Sequence, residues 1–158
     1  MLRGVSLNLK DNVALMHSFK KMARKFEKEK PGFILQEYLE GGKEIIIGAK
    51  GNDGLQPTIM FGLGGGFVEI LKDVQFKLAP LPEEDANKMI CSIKGYPVLE
   101  GTREEKAVDI EKLTEILIRF SQLKSDFPEI GEMDLNPVFA FEKGKGAVVA
   151  DTRLKIKK

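Results

Sequence analysis

An α+β fold, a mainly antiparallel sheet with flanking helices, is what this sequence predicts, and three observations predict it. Between Phe33 and Gly62, short apolar runs are separated by glycine turns too short for the crossovers that parallel strands need. Two later segments, starting at Pro82 and Asp109, carry apolar residues at helical spacing. The chain then closes on an alternating stretch, a glycine turn and a second apolar run, the pattern of a β-hairpin.

Size and composition agree with this class. A chain of 158 residues can bury a real core as one compact domain, with or without a lobe. Apolar residues make up 42% and charged residues 31%, ordinary proportions for a globular protein. Lys+Arg 25 against Asp+Glu 24 leaves a net charge of +1, which excludes a basic field for nucleic acid. The one cysteine, Cys91, excludes an intramolecular disulfide and a cysteine zinc cage, and fits a reducing cytosol. With neither a signal peptide nor a membrane-length apolar span, the expectation is a soluble, cytoplasmic protein with no membrane partner.

The elements follow in order. Val5, Leu7 and Leu9 alternate with polar residues as a short strand does. Asp11 is a good N-cap for a helix whose apolar positions are Val13, Met16, Phe19, Met22, Ala23 and Phe26 and which Pro31-Gly32 stops. His17 lies off that stripe and reads as a surface residue. Phe33 to Leu39 reads as a buried strand, followed by strands from Lys43 to Lys50 and from Pro57 to Gly62. Extended segments continue through Val68, Ile70 and Val74 to Leu78. Pro82 and three acidic residues open a helix that ends at Lys94-Gly95, and a loop holds Tyr96-Pro97 and Gly101. The last helix presents Ile110, Leu113, Ile116, Leu117, Phe120 and Leu123 on one face before Phe127-Pro128 ends it.

Four places carry residues suited to chemistry. In the closing hairpin, Asp134, Asn136 and Asp151 can share one face, because strand neighbours two apart do. Oxygen donors there suit a magnesium ion that also holds phosphate oxygens, and Arg153 beside them would neutralise phosphate charge. A solvated hairpin with acidic edges explains the same residues, and spacing alone favours it. Gly62-Leu63-Gly64-Gly65-Gly66 can cradle an anion on its backbone N–H groups or can be only a bend; no Gly-Lys-Ser/Thr follows, so it is not a Walker loop. Gln36-Glu37-Tyr38-Leu39, with Glu44 beyond the turn, can take a purine edge and a ribose, as can residues of many hairpins. Glu69 to Asp73 place charges beside the bend that either position a phosphate or pair on the surface.

The order and wording of these stretches resemble the ATP-grasp portion of the β subunit of ADP-forming acyl-CoA (acetyl-CoA) synthetases, and more distantly the succinyl-CoA synthetase β chain. The carrying stretches are Gly4 to Leu9, Gln36-Glu37 with Gly42 to Gly48, Met60 to Glu69, Leu71 to Val74, Lys94 to Leu99, and Asp126 through Asn136-Pro137. The resemblance implies an ATP-grasp-like fold and a reversible reaction, acid + CoA + ATP to acyl-CoA + ADP + phosphate. It further implies Gln36, Glu37 and Leu39 at adenine and Glu44 at ribose; with these, Gly64, Gly65 and Gly66 of the anion-cradling bend and Glu69 beside it are the expected nucleotide-binding residues. Asn136 and Asp151, with Asp134 beside them, match the Mg2+ ligands, and ATP or ADP is the substrate. The partner it implies is a CoA-binding α subunit carrying a phosphohistidine.

Relative to that family, Gly4 is preceded by only Met1-Leu2-Arg3, and the half-lobe that bears an ATP-binding lysine is not represented. The expectation is therefore an incomplete small N-terminal lobe over residues 1–35 and a main nucleotide- and metal-binding domain over 36–158. An uncovered apolar face in the first part calls for a homodimer or a complementary N-terminal fragment. Turnover as an acid–thiol ligase would then need the partner subunit and the half-lobe; the competing expectation is a non-catalytic remnant or interaction module.

Overall fold

The structure, a computed structural model, describes residues 4–52, 54–65, 73–102 and 105–157. The chain forms two units, Met1–Glu40 and Gly41–Lys158.

The first unit is built on helix α1 (Asn12–Lys25), which starts where Asp11 accepts the Ala14 N–H at 2.7 Å. A 3-10 turn (Glu27–Glu29) follows, and Lys30 leaves the helical path at φ 46° before Pro31. His17 is exposed, as expected. The two strands expected in this unit, Val5 to Leu9 and Phe33 to Leu39, are not strands. Among the described residues neither segment pairs with another backbone, and an extended run without a ladder is not held as a strand. Phe33 instead meets Phe19 edge to face at 4.9 Å, and Ile34 stands 87% exposed, far from the buried position expected for it.

The second unit carries the sheet. Strands β1 (Lys43–Asn52), β2 (Leu55–Leu63) and β3 (Val74–Leu78) form an antiparallel meander, of which the β1–β2 step is the expected one while Val74–Leu78 takes the third place instead of Phe33 to Leu39, and β4 (Ile130–Ala140) lies on the other side of β1. The sheet order is β3-β2-β1-β4-β5, with β5 (Ala147–Val149) and β6 (Thr152–Ile156) both pairing with β4. Expected strand residues Val68 and Ile70 lie outside the described residues.

Helices α2 (Glu83–Cys91), α3 (Tyr96–Glu100) and α4 (Ile110–Asp126) complete the unit. The segment around Tyr96, expected as a loop, is thus a short helix with Pro97 in its first turn, where proline's missing N–H costs nothing. Period two turns Ile45, Ile47, Ile59, Phe61 and Leu63 inward, and the inner faces of α2 and α4 supply Met89, Ile90, Leu113 and Leu117 to the same core. Buried polar groups tie the layers. Thr114 donates to Asn87 at 2.8 Å, and the Ser121 hydroxyl accepts the Leu81 N–H at 3.0 Å. Lys124 is almost fully buried, burial pushes its ammonium below the usual lysine range, and a Cβ at Gly51 would come within 3.0 Å of its Nζ. Among the described residues no helix is long and apolar enough to cross a membrane.

Asp109 joins α4 to the β4–β5 turn. Its carboxylate accepts the Lys112 N–H at 3.1 Å, the Gly144 N–H at 2.9 Å and the Gly146 N–H at 3.2 Å. These bonds, first that from Lys112, hold its pKa below the usual carboxylate value. A depressed folded pKa means that the stabilisation is fully present above the unfolded value of about 4 and fades as pH falls through the folded one. Asp109→Ala is expected to cost about 1–2 kcal/mol at pH 7, and the difference from wild type should shrink in urea titrations run at progressively lower pH.

Candidate functional site

The local structure of β4 explains where its polar side chains go. Met133 and Leu135 are buried against the helices, so Asp134 turns to the opposite face. The register with β1 then shifts: Ile45 lies opposite Val138 and Ile47 opposite Leu135, so Asn136 and Pro137 together face the single residue Ile46. This is a β-bulge, a device that re-aims side chains next to functional sites. On its other edge β4 changes partner at the same place, from β6 up to Leu135 to β5 from Val138. The link between those strands is bonded to the bulge: the Asn136 N–H donates to the Asp151 carbonyl at 3.1 Å, and the Ala150 N–H donates to that of Pro137 at 3.0 Å.

Asp134, Asn136, Asp151 and Arg153 are thereby brought together. Arg153 lies directly opposite Asp134 in the ladder, and Asn136 and Asp151 are both exposed. Burial pushes the Asp134 carboxyl above its usual range, Arg153 draws it back, and the Asp151 charge pushes it up again. One Asp151 oxygen already accepts the Thr152 N–H at 2.8 Å. Among the described residues no three His, Cys, Asp or Glu side chains gather as a metal cage. Two carboxylates and an amide oxygen nevertheless fit a magnesium ion whose remaining positions are filled by phosphate and water, the usual mode for that ion.

A second cluster stands at the start of β1. Gly64 donates its N–H to the Glu44 carbonyl at 2.6 Å, and Gly65 adopts φ 61°. A Cβ at Gly65 would lie 3.0 Å from Glu44 Oε2, and its positive φ is one that glycine adopts without strain, so glycine suits the close approach of the chain to that carboxylate. Glu44 and Asp134 share the sheet face away from the helices, since Glu44 alternates with buried Ile45 and Asp134 pairs with Gly48. Glu44 and Ile46, the residue opposite the bulge, are about 7 Å apart along the strand.

The other expected site residues distribute as follows. Gln36, Glu37 and Leu39 lie in the first unit in irregular backbone, with Gln36 and Glu37 exposed and Leu39 half-buried. Gly66 and Glu69 lie outside the described residues. Asp73, whose charge the sequence allows either to position a phosphate or to pair on the surface, is instead 6% exposed and accepts backbone N–H groups from Lys94 and Gly95. The bulge was not foreseen either, although Pro137 inside an alternating strand is the signal that marks one.

The family model described as "ATP-grasp domain" matches residues 1–156. The chain is 49% identical over 156 residues to the 4-hydroxybutyrate–CoA ligase [ADP-forming] of Nitrosopumilus maritimus, covering 96% of this chain and 22% of that protein. It is 44% identical over 159 residues to the acetate–CoA ligase [ADP-forming] II subunit beta of Pyrococcus furiosus, covering 97% of this chain and 67% of the subunit. The chain therefore spans about a fifth of the first relative and two thirds of the second. A solved structure of the dinucleotide forming acetyl-coenzyme A synthetase 1 of Ca. Korarchaeum cryptofilum, in complex with coenzyme A and Mg-AMPPCP and with its phosphohistidine segment pointing towards the nucleotide binding site, matches with TM-score 0.78. Identity to it is 37%, over 97% of this chain and 74% of the other. From the sheet and these matches together, the chain belongs to the ATP-grasp domain family and is homologous within it to the β subunits of ADP-forming acyl-CoA synthetases.

Proposed function

We propose that this chain is the nucleotide-binding component of an ADP-forming acyl-CoA synthetase, taking part in the conversion of acid, CoA and ATP to acyl-CoA, ADP and phosphate. The observation that carries the reading is the bulge in β4, which sets Asp134, Asn136, Asp151 and Arg153 beside one another on the same sheet face as Glu44. The Mg-AMPPCP complex of the related synthetase supports a magnesium nucleotide as the ligand.

In this reading Asn136 and Asp151, with Asp134 beside them, hold Mg2+, which when bound neutralises and orients phosphate oxygens. Arg153 offsets charge on the terminal phosphate. Glu44 accepts the ribose hydroxyls, and Gln36, Glu37 and Leu39 take the adenine. Gly64, expected at the phosphates, gives its N–H to the Glu44 carbonyl and contributes through the shape of the bend; the backbone N–H groups of Gly65 and Gly66, with Glu69, take the phosphates. The chain itself supplies positioning and charge neutralisation, the main contributions to phosphoryl transfer. Turnover needs a CoA-binding α subunit whose phosphohistidine relays the phosphoryl group. The exposed Val5, Leu7, Val13 and Ile34 of the first unit support a covering partner as well, either a second copy or a complementary N-terminal polypeptide. ATP and CoA chemistry of this kind belongs in the cytoplasm.

Mg-ADP at a hundred times its dissociation constant should stabilise the chain by about 2.7 kcal/mol, read as an upward shift of the unfolding midpoint. No shift with either Mg-ADP or Mg-ATP would sink the reading.

A further inference from the structure

Asp73 is a buried carboxylate for which the nucleotide reading has no use. Its two oxygens accept the Lys94 N–H at 2.8 Å and the Gly95 N–H at 2.6 Å, across the turn that joins α2 to α3. A carboxylate on two backbone donors is a strong and directional clamp. What it clamps lies against the glycine bend. A Cβ added at Gly95 would fall on the Leu63 side chain, with Asp73 Oδ2 3.3 Å away, so the turn rests on Leu63 with no room between them. Leu63 is 3% exposed and directly precedes Gly64. One residue earlier in the same strand, a Cβ at Gly62 would lie 2.8 Å from the Asp73 carbonyl oxygen, so the backbone of Asp73 bears on the bend as well as its side chain. Gly64 and Gly65 in turn close on Glu44.

We propose that Asp73 is a positioning residue for the glycine bend: by fixing the Lys94–Gly95 turn against Leu63, it sets where the Gly65 N–H group points. The inference rests on the reading that this bend takes the phosphates of a nucleotide. Supporting groups of this kind decide whether binding atoms are held within the narrow tolerance that recognition needs. Asparagine at 73 keeps the shape but can accept only one of the two N–H groups, and its own NH2 would face the other donor.

The test compares Mg-ADP with adenosine by calorimetry, at temperatures well below unfolding, for wild type and Asp73→Asn. The expected result is an increase of about tenfold in the dissociation constant for Mg-ADP, with the adenosine constant changed by less than about twofold. A purely structural role would lower the unfolding midpoint and leave both constants of the folded protein alike, which overturns the proposal. Unchanged Mg-ADP binding overturns it as well. Failure of wild type to bind Mg-ADP overturns the underlying nucleotide reading, a different outcome from either. Should Asp73→Asn not fold, Gly95→Ala asks the same question from the other side. Gly95 has φ −78°, so alanine acts there through its contact with Leu63 and not through backbone strain. The same loss of Mg-ADP selectivity is expected from it, and selectivity equal to wild type would overturn the proposal.

Discussion

Phe61→Ala is expected to lower the unfolding free energy by about 3–5 kcal/mol, a large part of the roughly 5–15 kcal/mol that a domain of this kind possesses. Phe61 is fully buried in β2, where it pairs with Ile47 of β1 and Gln75 of β3 and turns its ring towards the helices. Removing the ring forfeits its transfer free energy and leaves a cavity that a paired strand cannot move to fill. The comparison is Val13→Ala on α1, where the side chain is 79% exposed and the expected change is within about 0.5 kcal/mol. Urea titrations of both variants should show a midpoint shift for Phe61 at unchanged slope. A tolerant Phe61 would mean that β2 does not face the helices in solution.

Loss of the magnesium-dependent part of nucleotide stabilisation is expected from Asp151→Asn. Asparagine retains an oxygen that can accept the Thr152 N–H, the bond that Asp151 Oδ1 makes at 2.8 Å, so the link between β5 and β6 should survive. What it removes is one of two carboxylates in a set completed by an amide oxygen, and magnesium sites of this kind depend on few protein charges. Of the roughly 2.7 kcal/mol expected from saturating Mg-ADP, most should vanish in the variant, leaving about the stabilisation given by ADP with a chelator. A shift equal to wild type would remove Asp151 from the metal site and leave Asp134 and Asn136 as the remaining candidates. The unliganded midpoint should stay within about 0.5 kcal/mol of wild type, as for exposed surface substitutions.

Legibility in the sequence varied with the distance over which each feature is decided. The helix from Ile110 to Asp126 was readable because its apolar face repeats within the helix itself. Strands β1 and β2 were readable because their turns lie between adjacent segments and the glycines mark them. Phe33 to Leu39 misled for the same reason in reverse: its composition is that of a buried strand, but being a strand depends on a neighbour that composition does not supply. Asp73 misled because nothing in a run of charges distinguishes a solvated carboxylate from one that turns inward to cap a distant turn.

The closing hairpin divides along the same line. Its sequence by itself determined that Asp134 would lie opposite in direction to buried Met133 and Leu135, since side-chain alternation is a property of any strand. It also carries the family, since the chain is 44% identical over 159 residues to the Pyrococcus subunit. Only the tertiary structure decided that Asn136 and Pro137 would bulge against Ile46, and that β4 would exchange β6 for β5 at that point so that Asp151 arrives beside them. The physical reason is that a bulge and a change of partner are relations between strands far apart in the chain. Backbone hydrogen bonds settle them once the sheet has formed, and no spacing within one segment encodes them.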